Sequence, residues 1–164
     1  MKKNKHSTSN IQHSTSNELE ASDYVLHDGG NGQRKYDLEE RLLVYACAVI
    51  DLSEKLPDNR AGNHIAGQIL RSGTSPYPNH GEAEAAESRD DFIHKLKICH
   101  KELRETRRLA RLAHRMGWAK NDSALAFVLN ESDELIRIFF SSIQTAKRNV
   151  MSDKRKPSTS GEAG

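Results

Sequence analysis

The amino-acid sequence predicts an all-α protein, an antiparallel up-and-down four-helix bundle. Between residues 36 and 150, apolar residues recur at spacings of three and four, which is the period of helices that bury one face. No segment in this range alternates as a strand does, and short connections between the predicted helices favour antiparallel neighbours. We therefore expect one folded domain at 36–150, long enough for a single packed core.

The two ends of the chain differ in composition from this domain. Residues 1–35 and 151–164 are rich in small polar and charged residues, and the pentapeptide His-Ser-Thr-Ser-Asn occurs twice in the first of them. Such segments bury too little apolar surface to offset the entropy of ordering. Both are predicted to be disordered tails.

Capping residues and prolines bound the first predicted helix. Asp37, with Glu40 three residues later, forms a capping box at its start, and Pro57 ends it. Its core-facing side is predicted to be widened by Leu43, Ala46 and Ile50.

The second helix is predicted to begin at Asn59 or Arg60 and to be kinked between Gly73 and Pro78. The kink is expected because Pro76 and Pro78 have no backbone N–H to continue an ordinary helix.

The last two helices carry the clearest patterns. The third runs from about Ser88 to Met116, with an apolar seam on one side, basic residues on the other and Gly117 as its C-cap. The fourth runs from about Asp122 to Val150. Its adjacent Phe139 and Phe140 point about 100° apart, so that one fills the core and the other lies at the surface.

Composition narrows the function classes. The formal net charge is only +2, but basic residues predominate between residues 88 and 115. The two cysteines, Cys47 and Cys99, form no disulfide framework, which favours a reducing compartment. The N-terminus lacks the apolar run of a signal peptide, and no stretch approaches the roughly 20 apolar residues of a membrane span. We expect a cytoplasmic protein with no membrane partner.

Three separated motifs carry a family resemblance. They are Tyr36-Asp37-Leu38-Glu39, then Arg71-Ser72-Gly73-Thr74-Ser75 with Asn79 and Glu82, and finally Asp91–Lys97 followed by Lys101–Thr106. In this order they resemble the bacterial four-helix bundle protein family, also called the 23S rRNA intervening sequence proteins. The resemblance covers about residues 36–150.

The resemblance implies an up-and-down four-helix bundle that assembles into a ring-like homopentamer. It also implies kinship with the accessory proteins of diversity-generating retroelements, which are basic pentamers that bind nucleic acid and a reverse transcriptase. This sequence departs from many relatives at Pro76-Tyr77-Pro78, where small and aliphatic residues are common.

The basic side of the third helix is the main candidate site. Cations at spacings of three and four form a stripe along a rod, which suits tracking of phosphates. The candidate residues are Lys95, Lys97, Lys101, Arg104, Arg107, Arg108 and Arg111. The alternative is that this stripe is solvated or pairs with acidic residues, within the subunit or across a subunit boundary. Few aromatic residues lie in this region, so stacking on single-stranded bases is not expected.

A polar cluster at the predicted kink is the second candidate. It comprises Arg71, Ser72, Thr74, Ser75, Asn79 and Glu82. The favoured interpretation is structural: Arg71 and Glu82 form an ion pair, and the hydroxyl groups satisfy backbone atoms freed by the kink. The alternative is an anion pocket formed by Arg71 and the hydroxyl groups.

Catalysis and cofactor binding are less favoured. Arg89 and His94 form an Arg-x4-His pattern that looks like the active-site motif of the HEPN ribonucleases, which would make the histidine a general acid or base. The histidines lack the paired spacing of a zinc site, so we expect no metal and no cofactor. The sequence thus predicts a non-enzymatic, self-associating accessory or scaffold protein that binds RNA, DNA or a ribonucleoprotein. The alternative is a module that binds only proteins.

Overall fold

The computed structural model describes residues 38–153, and all regular structure in this range is helical. The segments are α1 (Leu38–Glu54), α2 (Arg60–Thr74), α3 (Pro76–Glu84), α4 (Arg89–Arg115) and α5 (Ser123–Asp153). A single residue, Ser75, separates α2 from α3, and its backbone remains right-handed helical with φ −59° and ψ −36°. Segments α2 and α3 together therefore form one of the four long helices. The predicted all-α four-helix bundle is confirmed.

Some predictions fall outside the described residues. These are the capping residue Asp37, the tail at 1–35 and most of the tail at 151–164. Helix α5 continues to Asp153, beyond the predicted end at Val150.

Helices α2 and α4 begin where the sequence predicts, and each start has a capping side chain. The Asn59 side chain accepts hydrogen bonds from the backbone N–H groups of Ala61 and Gly62, at 3.1 and 2.9 Å. Ser88 Oγ accepts from the backbone of Asp91 at 3.1 Å, at the start of α4. These bonds satisfy donors that a helix start leaves without intrahelical partners.

The end of α4 also matches its prediction. Gly117 has φ +74°, a left-handed conformation that glycine adopts without a Cβ penalty, and it directly follows the C-cap Met116. The chain then turns back through residues 118–122 into α5.

Side-chain pairs show how the helices are arranged. Between α4 and α5, Arg107 pairs with Asp133, and the ring of His100 lies 6.2 Å from that of Phe140. From one pair to the next, the residue number falls along α4 and rises along α5, so the two helices are antiparallel. The backbone of helix α1 lies close to those of α2, α3 and α5, but within the described residues it does not come close to that of α4. Helices α1 and α4 therefore lie diagonally across the bundle.

The core is formed by residues of all four long helices around the fully buried Tyr45 and Phe139. Phe140 is 53% exposed, so the predicted division between the two adjacent phenylalanines is confirmed. The prediction for α1 needs a correction: Ala46 is buried, but Leu43 and Ile50 are 38% and 47% exposed. Helix α1 needs only one narrow apolar stripe to contact its neighbours, so part of its wide apolar side faces solvent.

The α2–α3 junction lies within the predicted Gly73–Pro78 interval. The helix is interrupted at Ser75, just before Pro76. The Asn79 side-chain amide donates to the Ser75 carbonyl at 2.9 Å and to its hydroxyl at 3.1 Å. The Ser75 carbonyl also accepts from the backbone N–H of Asn79 at 3.3 Å, so helical hydrogen bonding resumes directly after the interruption.

A candidate nucleic-acid interface on helix α4

Helix α4 presents its cations along its outer face, opposite the residues that enter the core. The buried positions include Leu96, Cys99, Leu103, Thr106 and Ala110. Five of the seven candidate residues are exposed on the outer side of α4, at spacings of four and three. They are Lys97, Lys101, Arg104, Arg108 and Arg111. At these spacings side chains stack above one another on one face of a helix.

Arg115 extends the same row, although it was not among the seven candidates. It lies four residues after Arg111 and is exposed. We call Lys97, Lys101, Arg104, Arg108, Arg111 and Arg115 the basic row. At about 1.5 Å per residue, the row is about 27 Å long. Arg115 could have been found from the sequence, because it continues the same spacing of three and four residues.

The other two candidates are placed differently. Lys95 turns toward α3 and forms an ion pair with Glu82, which raises its pKa. Arg107 turns toward α5, and its Nε lies 2.6 Å from Asp133 Oδ1. Both side chains connect α4 to a neighbouring helix, so the structure separates them from the row.

Acidic neighbours neutralise only a small part of the row. Lys101 Nζ lies 3.3 Å from the Glu102 carboxylate, and Glu102 is buried. Glu105 pairs with Arg71 of α2 at 3.0 Å. Among residues 38–153, no ion pair is formed by the remaining members of the row: Lys97, Arg104, Arg108, Arg111 and Arg115.

An aromatic pair adjoins the row, and sequence reasoning missed it. His100 of α4 lies on the α5 side of the row, and its ring is tilted by 40° against that of the exposed Phe140. Burial, followed by the positive charge of Arg104, lowers the pKa of His100. The imidazole is therefore held neutral near pH 7, beside a cation. Only the antiparallel packing of α4 and α5 brings these rings together.

The polar cluster at the α2–α3 junction does not converge on one point. Arg71 binds Glu105 and Gln68, and Glu82 binds Lys95, so the predicted Arg71–Glu82 pair is wrong. Helix α4 lies close enough to supply both residues with a partner of opposite charge, which a single-helix pattern could not reveal.

The hydroxyl groups of this cluster have partners inside the protein. Ser72 Oγ donates to the Gln68 carbonyl at 2.9 Å and lies 2.8 Å from the buried Thr106 hydroxyl. Thr74 donates to the Leu70 carbonyl at 2.8 Å. Ser75 accepts from Asn79. Ser72 and Thr74 thus bond to carbonyls within α2, four residues back, and not to backbone atoms at the junction.

A second polar contact lies deeper in the core. The Tyr45 hydroxyl is 2.7 Å from Ser132 Oγ, and complete burial raises the pKa of Tyr45. Hydrogen bonding to Ser132 and Thr106 acts in the opposite direction on that pKa. Buried hydroxyls from α1, α2, α4 and α5 therefore lie in one region of the bundle.

The candidate catalytic residues do not share a face. Arg89 and His94 are both exposed, and five residues on a helix correspond to a rotation of about 140°. Within residues 38–153, no group of three His, Cys, Asp or Glu side chains is arranged to hold a metal ion. None of the helices in this range is both long and apolar enough to cross a membrane.

Comparisons with known proteins identify relatives. Residues 34–141 match the family model described as 23S rRNA-intervening sequence protein. A crystal structure of a protein with unknown function from the S23 ribosomal protein family of Bacteroides thetaiotaomicron VPI-5482 is 34% identical. The match covers 64% of this chain and 96% of that chain, with a TM-score of 0.58. A search of curated proteins found no match.

Proposed function

The chain belongs to the 23S rRNA-intervening sequence protein family, and we propose that it is a non-enzymatic, homo-oligomeric accessory or scaffold protein that binds nucleic acid. The row on α4 contacts phosphates, and the ligand is RNA, DNA or a ribonucleoprotein. The observation that carries this proposal is the basic row, which has an outward face and little neutralisation by described acidic residues.

The chemistry of the row favours contact with the backbone and not with specific base edges. Arginine and lysine neutralise phosphates and release condensed counterions, which makes affinity strongly dependent on salt. If about five side chains contact phosphate, the logarithm of the affinity falls by roughly 3.5 to 4.5 for each tenfold increase in salt. Such contacts position a protein on a strand without reading its sequence.

Self-association is supported by a second surface. Leu43, Cys47 and Ile50 are exposed on α1 at spacings of four and three. An exposed apolar row of this kind typically marks an interface. Because α1 and α4 are diagonal in the bundle, assembly through α1 leaves the basic row accessible. Several rows in one assembly would add avidity. The pentameric number and a reverse transcriptase partner remain predictions from the family resemblance.

The test is a salt titration with matched variants. We expect the triple variant Arg104→Gln, Arg108→Gln and Arg111→Gln to weaken binding to mixed-sequence RNA and duplex DNA by roughly tenfold or more, with a smaller salt slope. The control, Arg60→Gln with Lys120→Gln and Arg148→Gln, removes the same net charge from other exposed positions. Circular dichroism verifies that both variants keep their helices.

The outcomes separate the three functions considered. Loss of binding only in the α4 variant supports the nucleic-acid function. Equal loss in both variants would mean that net charge and not the row drives binding. No binding by the unaltered protein at low salt would leave the protein-interaction module as the function. Cleavage of RNA that is abolished by His94→Ala would instead establish the ribonuclease alternative.

A further inference from the structure

A groove opens at one end of the bundle, away from the basic row. It has a volume of about 700 Å³ and lies between the end of α3, the start of α4 and the last turns of α5. Its apolar lining includes Ala83, Phe92 and Ala146. Its polar rim includes Glu84, Glu87 and Arg89. The volume and mixed lining are those of a site that holds a small ligand or a short peptide.

The α5 wall of the groove continues the face on which α1 packs. Lower in the bundle, Arg41 of α1 pairs with Glu131 of α5 at 2.6 Å. Ser142, Thr145 and Asn149 line the groove and follow Glu131 by 11, 14 and 18 residues. Those intervals place them within about 40° of Glu131 around the helix. The groove therefore continues the space that α1 occupies, beyond the N-terminal end of α1.

The start of α1 is directed toward this space. The first described residue of α1 is Leu38, and α1 is antiparallel to α5. A chain traced backward from Leu38 thus moves toward Ser142 and Asn149. The α1–α5 contacts place Leu38 level with residues 134 to 139 of α5. Ser142 and Asn149 therefore lie about 5–12 and 15–22 Å beyond the start of α1, at about 1.5 Å per residue.

The sequence before α1 contains a suitable apolar segment. Tyr24-Val25-Leu26 is the longest run of apolar residues before α1. The intervening residues 27–37 can span at most about 40 Å, which exceeds the distance required. Gly29-Gly30-Asn31-Gly32 allows the chain to change direction. Arg34 and Lys35 have charges complementary to those of Glu84 and Glu87.

We propose that residues 24–26 of the same chain dock in this groove. The apolar side chains cover Phe92 and Ala146, while the basic residues before α1 face Glu84 and Glu87. The composition that predicts disorder for residues 1–35 is an average over the segment, and this apolar run is its exception. The docking is independent of nucleic-acid binding.

Disulfide trapping in the full chain tests the proposal. In a Cys47→Ser background, Val25→Cys is combined with Ser142→Cys in the groove. Cys99 does not compete, because burial raises its pKa to about 12. The matched control combines Val25→Cys with Gly67→Cys, an exposed position on α2 with open space around it.

We expect the groove pair to form an intramolecular disulfide about tenfold faster than the control pair, because docking raises the effective concentration. Equal rates would show a tether without docking, and cross-links found only between two chains would assign the groove to a second copy. Either result overturns the proposal.

Hydrogen exchange provides a second measurement without new cysteines. Replacing Tyr24, Val25 and Leu26 by serine should accelerate exchange of amides at residues 142–149, since the docked segment no longer protects the end of α5. Ile11→Ser is the matched control and should leave exchange unchanged. Unchanged exchange in the triple variant would contradict docking.

Discussion

Gly73 shows how one residue sets the distance between two helices, α1 and α2. A Cβ atom built at this position would lie 2.5 and 2.7 Å from the two methyl groups of Val49 on α1, and 3.1 Å from Thr106 Cγ2 on α4. Val49 is fully buried and its branched side chain has little rotamer freedom. The glycine in the Arg71–Ser75 motif is therefore required for close packing, and Ser72 beside it supplies the hydroxyl contact to Thr106.

Replacing this glycine gives a prediction with an internal control. We expect Gly73→Ala to lower the free energy of unfolding by about 1–3 kcal/mol, because overpacking outweighs the helix propensity of alanine. Gly67→Ala, where a Cβ meets no atom within 4 Å, should raise it by roughly 0.5–1 kcal/mol. Urea denaturation measures both. An unchanged or increased stability for Gly73→Ala would show that α1 can shift without cost.

At the scale of the element, α4 has three functions around its circumference. Its inner face fills the core, and Lys95 and Arg107 bind neighbouring helices at the two flanks. The outward face holds the basic row. An N-cap at Ser88 and Gly117 after its last turn fix the length of this helix, and thereby the length of the row.

The seam between α4 and α5 gives an element-scale prediction. Phe140 lies beside His100, which adjoins Arg104, so a base held along the row can stack on the exposed ring. Stacking contributes about 1–3 kcal/mol per base to single-strand binding. We therefore expect Phe140→Leu to weaken single-stranded RNA binding by roughly fivefold or more, with duplex affinity unchanged. Fluorescence anisotropy with paired single-stranded and duplex ligands measures this. Equal affinities in the variant and the unaltered protein would leave phosphate contact as the sole mode.

At the scale of the whole molecule, the diagonal arrangement of α1 and α4 separates two surfaces. One is the apolar row at Leu43, Cys47 and Ile50, and the other is the basic row. An interface on α1 can therefore form without covering α4. The groove beyond the start of α1 lies at an end of the bundle, so the proposed docking of residues 24–26 competes with neither surface.

Removing the apolar row tests assembly. We expect Leu43→Gln with Ile50→Gln to shift the protein from an oligomer to a monomer while its helices persist, because both side chains are at least a third exposed and contribute little to the core. Sedimentation or light scattering measures the mass. Leu70→Gln, at an equally exposed leucine on α2, is the control. A monomeric unaltered protein would contradict self-association, and an undiminished oligomer in the double variant would place the interface elsewhere.

The sequence by itself determined the helices, their order and most of their ends. Helical periodicity, N-caps at Asn59 and Ser88, and Gly117 are local signals that depend on residues a few positions apart. For the same reason, the sequence predicted that one of the adjacent residues Phe139 and Phe140 is buried and the other exposed. It also made the basic side of α4 visible, including the spacing that extends to Arg115.

Only the tertiary structure decided which side chains meet. Contacts such as Arg71–Glu105, Arg107–Asp133 and His100–Phe140 join residues 26 to 40 positions apart, and they depend on how far each helix slides and rotates against its neighbour. That register is set by packing of the whole core, for example at Gly73 against Val49. Periodicity along one helix contains no information on it. The sequence therefore indicated a basic face, whereas packing decided which of its cations are left for a ligand.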